Sequence, residues 1–337
     1  MRHYLLPRDG QFYKGNLHSH STLSDGNFTP EELKEIYKSH GYSVYAYSEH
    51  DEYHDLRHLD DADFITLPSF EASVRHNYAR APYHALLKSS TIPAGSSTEG
   101  MHLNMFAIDP DKTTDMPYFA DIQEPFSLEN INELIRRGNE AGFIVSYNHP
   151  HWSLNSSALY NKLEGLCAIE LINGGSYRSS ALDFTPHVMR EMAWNGKRLV
   201  AIAGDDTHRP THFFQAWTMF KAPELSHKAI IEALQKGNCY ASTGPEIKEL
   251  YVEDGVVHIK TSEAQGIFMA TAGRRKASNL VPYDSDERVT EAAFPLDEND
   301  VFFHIIVKDM HGRPAATRIY YLDEADFGIP TKEDAEK

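Results

Sequence analysis

The chain predicts an α/β protein, a (β/α) barrel with its reactive residues gathered on one rim. Up to about residue 245, short apolar runs rich in Val, Ile, Leu, Phe and Tyr alternate with helix-spaced amphipathic segments, the pattern of strand–helix units around a parallel sheet. Almost every apolar run ends in His, Asp or Glu, and barrel enzymes build their sites at the C-terminal ends of strands. From about Glu246 the texture changes to alternating β runs joined at Asp254-Gly255, a strong hairpin signal, and again around His311-Gly312. The expected organisation is therefore a barrel over 1–245, a small β-sheet domain over 246–325 and an acidic tail over 326–337.

In chain order, the first strand runs into NLHSHSTLSDG, Asn16 to Gly26. Alternate residues of an extended backbone point to one side, so His18 and His20 share a space and form half a metal site. Thr29 as N-cap, Pro30 at the first position and Glu32 completing a capping box then start a helix. It carries Leu33, Ile36, Tyr37 and His40 on one face and is expected to end at Gly41. The strand VYAYSEHD delivers Glu49, His50 and Asp51, FITLPSFEAS delivers Glu71, and HLNMFAID opens with His102. Residues 75–100 read as a long polar loop. A helix over Ser127–Ala141 stops at Gly142, and FIVSYNHPHW follows with His149 and His151. After a short helix, the strand AIELING, a helix near Phe184–Trp194 and the strand LVAIAGDDTHR bring Asp205, Asp206, His208 and Arg209. One more strand, FFQAWTMF, and a helix over Ser226–Lys236 complete the series.

Composition narrows the class. At 337 residues, 41% hydrophobic and 24% charged, the chain can bury a full core as an ordinary globular protein. A net charge of −17 opposes a broad nucleic-acid surface, which must be basic. No apolar run reaches membrane-spanning length, and MRHYLLPRDG has no apolar core of a signal peptide. Cys167 and Cys239, far apart and without CxxC spacing, read as buried thiols of a reducing compartment, so the expected location is cytoplasmic.

His18, His20, Asp25, His50, Glu71, His102, His149, Asp206 and His208 are nine ligand-type residues in order along successive strand ends. The pieces that hold them, HSHSTLSDG, SEHD, the Glu of SFEAS, HLNMFAI, NHP and GDDTHR, resemble the PHP (polymerase and histidinol phosphatase) superfamily over roughly residues 13–245. CYASTGPEI and the β region after it look like its carbaryl-hydrolase-like branch. The resemblance implies a distorted (β/α)7 barrel holding up to three divalent ions of Zn, Mn or Fe. It implies His18, His20, Glu71 and Asp206 on the first ion, with Glu71 bridging to a second completed by His102 and His149. Asp25, His50 and His208 would hold the third. Some members have His where this chain has Asp25, a change that favours manganese or iron over zinc. Many have Asp where it has Glu49; Glu49 and Asp51 flank a ligand and are expected to orient imidazoles.

Chemistry supports hydrolysis independently. Three divalent ions supply about +6 against about −3 from three carboxylates, so the cluster stays locally positive in an acidic chain. A water bridging two such ions loses a proton near neutral pH and becomes the nucleophile, while Asp206 and His208 are placed to manage protons. For substrate contacts Arg209 leads, because guanidinium pairs well with phosphate, followed by Arg178 and by Arg75 with His76. The other histidines, His187, His212 and His304 among them, read as structural or surface residues, and the Trp and Tyr positions as core packing. The leading expectation is a metal-dependent phosphoesterase acting on a small phosphorylated molecule. The alternative is a carboxylic ester or carbamate hydrolase using the same metals, and a third is a non-catalytic metal-binding module.

Overall fold

A computed structural model describes residues 2–75, 100–113, 126–181, 184–273, 276–282 and 284–329. The chain opens with strands β1 (Arg2–Tyr4) and β2 (Gln11–Asn16), helix α1 (Pro30–Lys38), and strands β3 (Val44–Tyr47), β4 (Ile65–Arg75) and β5 (Gly100–Ala107). Next come α2 (Leu128–Glu140), β6 (Phe143–Tyr147), α3 (Ser157–Tyr160), β7 (Ala168–Asn173), α4 (Gly174–Ser180), α5 (Pro186–Trp194) and β8 (Val200–Gly204). They are followed by β9 (Trp217–Ala222), α6 (His227–Lys236), β10 (Cys239–Ser242), β11 (Ile247–Glu253) and β12 (Val256–Ala264). The last strands are β13 (Gly266–Thr271), β14 (Lys276–Leu280), β15 (Val289–Pro295), β16 (Phe302–Lys308), β17 (Pro314–Thr317) and β18 (Tyr320–Tyr321). The loop expected over 75–100 falls, apart from its two ends, outside the described residues, as does most of the acidic tail.

The expected barrel of parallel strands is corrected by the topology. A single mixed sheet runs β14-β13-β16-β17-β10-β9-β2-β3-β4-β5-β6-β7-β8 with β18 on β16, as an open path among the described residues. β2, β3 and β4 are parallel, and so are β6, β7 and β8. β5, however, is antiparallel to both β4 and β6, and β9 is antiparallel to β2. A parallel neighbour needs a crossover, usually a helix, whereas β4 and β5 pair directly out to Arg75 opposite Gly100. The reversal matters for the site. β5 begins on the rim where β4 and β6 end, so His102 arrives there from the start of its strand.

The end of the run at β8 approaches β2 past the ladder. His20 N–H donates to Thr207 O and Asp206 N–H to His18 O, each at 2.9 Å. Asp205 N–H donates to Asn16 Oδ1 at 2.7 Å. These bonds hold the residues after β2 against those after β8.

Local chemistry explains the surrounding elements. Thr29 and Glu32 form the capping box of α1, which ends at Ser39, two residues earlier than Gly41 suggested. Gly41 then turns the chain with φ 77°. Leu33 and Tyr37 are buried with Tyr42, Tyr45, Tyr47 and Phe64, Leu33 and Phe64 each contributing roughly 1.5–3 kcal/mol by burial, while His40 lies exposed. Ser127 caps α2, which buries Ile131, Leu134 and Ile135. Asp254 (φ 49°) and Gly255 (φ 75°) form the left-handed two-residue turn between β11 and β12. A second, smaller sheet runs β1-β11-β12-β15, so the first strand of the chain joins the C-terminal strands. Cys239 is buried, but Cys167 is exposed, contrary to the reading of both as buried thiols. Among the described residues no helix is long and apolar enough to cross a membrane.

Candidate metal centre

Glu71, inside β4, stands at the middle of the rim, and its two oxygens face different histidines. Oε1 lies 3.2 Å from His18 Nε2, 3.2 Å from His102 Nδ1 and 3.1 Å from His149 Nε2. Oε2 lies 3.0 Å from His50 Nδ1 and 3.7 Å from His20 Nε2. Asn148 Nδ2–H donates to Oε1 at 2.8 Å, which fixes the carboxylate's rotation.

Two further carboxylates complete the cluster. Asp25 Oδ1 lies 3.3 Å from His208 Nε2, 3.6 Å from His50 Nε2 and 4.0 Å from His20 Nδ1. Asp206 Oδ1 lies 3.2 Å from His20 Nε2, 3.4 Å from His208 Nδ1 and 3.5 Å from His18 Nε2. The donor atoms fall into four overlapping groups, each spanning no more than 4.8 Å: His18, His20 and Glu71; Glu71, His102 and His149; His20, Asp25, His50 and His208; and His18, His149 and Asp206. The grouping differs from the implied one at three points: His20 also joins Asp25, His50 and His208; His149 also joins Asp206; and Asp206 falls with His18 and His149 rather than in the group of His18, His20 and Glu71.

The backbone is bent to make this convergence. His149 (φ 24°) and Asp206 (φ 49°) take positive φ, a conformation costly for residues with a side chain and concentrated at functional sites. Beside Asp206, Asp205 accepts N–H bonds from Phe214, Gln215 and Ala216 and the hydroxyl of Tyr37, so the turn is pinned. Gly204 permits a close approach: a Cβ there would lie 2.5 Å from His18 N.

The donor set fits divalent cations. His18 Nε2, both nitrogens of His20, His50 Nδ1 and His102 Nδ1 are buried without a hydrogen bond among the described residues. A buried polar atom without a partner is expensive, yet these face carboxylate oxygens at 3.0–4.0 Å, a spacing that two ligands of one cation would have. Electrostatics agree. Burial alone would raise Glu71, but His102 and His18 hold it well below the usual carboxylate range. Burial likewise works against the charged form of Asp206, and His18 and His20 overcome it. Burial pushes His20 down to about 4, while His50 rises to about 10 because Asp25 and Glu71 override its burial. Carboxylates crowded this tightly require positive charge, as protons on the histidines or as metal ions between them. Nitrogen and carboxylate donors suit zinc, manganese or iron.

The remaining expected site residues divide. Glu49 accepts from Ser21 N–H (2.9 Å), from Ser21 Oγ–H (2.6 Å) and from the Ser24 hydroxyl, so it anchors the loop carrying Asp25 rather than an imidazole. Asp51 accepts the backbone N–H of Ser73 at 2.9 Å. Arg209 lines a cavity of about 400 Å³ together with Asp25, Asp206 and His208. Arg178 is exposed on α4 and does not line that cavity. Arg75 pairs through its backbone in β4; its side chain and His76 lie outside the described residues. His151 Nε2 lies 2.9 Å from His187 Nε2.

Besides Asn148 and Asn173, Glu170, His212 and Trp152 reach the site although the sequence reading did not place them there. Glu170 Oε1 accepts from His18 Nδ1–H at 2.9 Å, and its Oε2 accepts from His149 N–H at 2.9 Å. Its signal was a carboxylate inside the otherwise apolar strand AIELIN, where only a paired acid is stable. His212 hydrogen-bonds Arg209 and the Asp206 carbonyl. Trp152, read as core, is 51% exposed and lies edge-on to His149, with ring centroids 4.9 Å apart.

No family model and no curated protein matches the chain. Among solved structures, a two-domain protein from Bacteroides vulgatus containing a predicted PHP-like metal-dependent phosphoesterase is 15% identical over 94% of this chain and 97% of its own, with a TM-score of 0.45. A candidate metal-dependent phosphoesterase from Bifidobacterium adolescentis is 14% identical over 61% of this chain and 90% of its own, with a TM-score of 0.35. An amidohydrolase from Chromobacterium violaceum, with bound sulfate and no metal, is 16% identical over 58% and 88%, with a TM-score of 0.39. Likeness of this degree assigns neither fold nor activity to this chain.

Proposed function

We propose that this protein is a metal-dependent hydrolase that cleaves a phosphate ester of a small molecule. The observation that carries the reading is Glu71, whose two oxygens each face imidazole nitrogens that make no other use of their lone pairs. A carboxylate so placed would be shared between two ions. His18, His20 and Asp206 would complete one side, His102 and His149 another, and Asp25, His50 and His208 the outer group. When bound, divalent ions would neutralise the phosphoryl charge and acidify a coordinated water.

The chain's own groups supply positioning and proton transfer. Asp206 borders the cavity, and its Oδ2 accepts from Asn173 Nδ2–H at 3.2 Å, which holds the carboxylate in place. Asp206 Oδ1 would take the proton of the attacking water. His208 Nδ1–H donates to the Asp206 carbonyl at 3.0 Å, turning Nε2 toward Asp25 and the cavity. Asp206 would then pass that proton to the departing alcohol, beside His208 held by its bond to the Asp206 carbonyl, as general acid–base groups must lie within reach of the reacting atoms. The motif resemblance to the PHP superfamily supports the same reaction.

The test is metal analysis of the purified protein, with turnover of p-nitrophenyl phosphate compared against p-nitrophenyl acetate after loading with manganese, zinc or iron. Phosphate release is expected; acetate hydrolysis without phosphate release would replace the phosphoesterase reading with ester or carbamate hydrolysis.

A further inference from the structure

We propose that Arg209, held by His212, forms an anion subsite that selects dianionic phosphate monoesters; this rests on the phosphoesterase reading and deepens it. Arg209 precedes the 3-10 turn Pro210–His212, and His212 N–H donates back to Arg209 O at 3.0 Å. Residues three apart in such a turn stack over one another, which brings the His212 ring to the guanidinium. Arg209 Nε–H donates to His212 Nε2 at 2.9 Å. An accepting Nε2 leaves the ring proton on Nδ1, which donates to the Asp206 carbonyl at 2.9 Å. His212 is only 7% exposed, so the ring is a fixed strut between the backbone of a candidate ligand and the arginine.

The strut consumes one guanidinium N–H and leaves the terminal NH2 groups for a ligand. Arg57, Arg136, Arg198 and Arg318 are each paired with a carboxylate; Arg209 makes no such pair among the described residues. It borders the same cavity as Asp25, Asp206 and His208. A planar fork of donors matches two oxygens of a phosphoryl group. A monoester offers nearly two negative charges near neutral pH, a diester one and a carboxylic ester none. The subsite therefore discriminates by charge.

The experiment compares metal-loaded wild type with Arg209→Ala, Arg209→Lys, His212→Ala and His212→Gln. It uses p-nitrophenyl phosphate, bis(p-nitrophenyl) phosphate and calorimetric binding of inorganic phosphate. Arg209→Ala should weaken phosphate binding and raise the monoester KM about ten- to a hundredfold, the range for a hydrogen bond to a charged group, and change the diester far less. His212→Ala should lose about three- to tenfold, in KM rather than kcat. His212→Gln, whose Oε1 can accept the Arg209 N–H, should recover most of that loss, and Arg209→Lys only part. Equal losses on monoester and diester, or unchanged phosphate affinity in Arg209→Ala, would overturn the subsite. Metal loss from His212→Ala would overturn its positioning role. Phosphate binding is read without turnover, so a wild type that cleaves no monoester yet loses phosphate through Arg209→Ala keeps the subsite and removes the phosphoesterase reading.

Discussion

His18 Nδ1–H donates to Glu170 Oε1 at 2.9 Å, and this bond decides which nitrogen of His18 faces the site. With the proton held on Nδ1, Nε2 presents its lone pair toward Glu71 and Asp206. A carboxylate behind a ligating imidazole also raises its basicity. Glu170→Gln should therefore weaken metal binding by about ten- to a hundredfold. Titration of the metal-free protein with zinc or manganese measures this; wild-type affinity would show that Glu170 does not tune His18.

Glu71 and His18 each belong to two of the groups, and Asp206 Oδ1 faces His18, His20 and His208. His18→Ala and Asp206→Asn should abolish hydrolysis while the circular dichroism spectrum stays native. Glu71→Gln should additionally lower the bound metal per chain, because it removes a charge shared by two sides of the cluster. Normal turnover in any of the three would disprove the assigned site.

Gly204 has no room for a side chain against His18 N. Gly204→Ala should displace His18, lower activity sharply and cost roughly 1–3 kcal/mol of stability, as overpacking does. Denaturant unfolding and metal content measure the two effects together. An unaltered metal content would mean that the backbone yields elsewhere.

Removing bound metal should leave His18 Nε2, both nitrogens of His20, His50 Nδ1 and His102 Nδ1 buried without a hydrogen bond among the described residues. Thermal unfolding after dialysis against a chelator should therefore begin at a lower temperature, and return with added manganese or zinc in a concentration-dependent way. A Tm indifferent to both treatments would separate the cluster from metal binding.

His304 in β16 gives a pH dependence distant from the candidate metal ligands. Burial, with a smaller contribution from Arg190, pushes it from 6.5 down to about 3. The unfolded chain therefore binds this proton more readily between those two values, and stability falls as pH drops through that window. His304→Leu should flatten the acid side of the stability–pH curve relative to wild type. Parallel curves for the two proteins would show that His304 does not titrate on unfolding.

How much could be read beforehand depends on the range of the forces involved. The capping box of Thr29 and Glu32 and the Asp254-Gly255 turn were legible because each is settled within a few residues. The histidines and acids after the apolar runs were recognisable by side-chain chemistry. Glu170 and His212 were not, since their partners lie 152 and 6 residues away and depend on how the strands and turns are assembled. Glu49 misled for a related reason: its place next to His50 suggested an imidazole partner, but folding turns it toward Ser21.

By itself the sequence determined which side chains are of ligating type, the capped start of α1 and the Asp254-Gly255 hairpin, since those follow from residue chemistry and short-range backbone geometry. Only the tertiary structure decided that β5 runs antiparallel, that the sheet is an open path among the described residues, and which oxygen of Glu71 meets which imidazole. Those outcomes depend on packing and hydrogen bonding between distant segments, which no local pattern encodes.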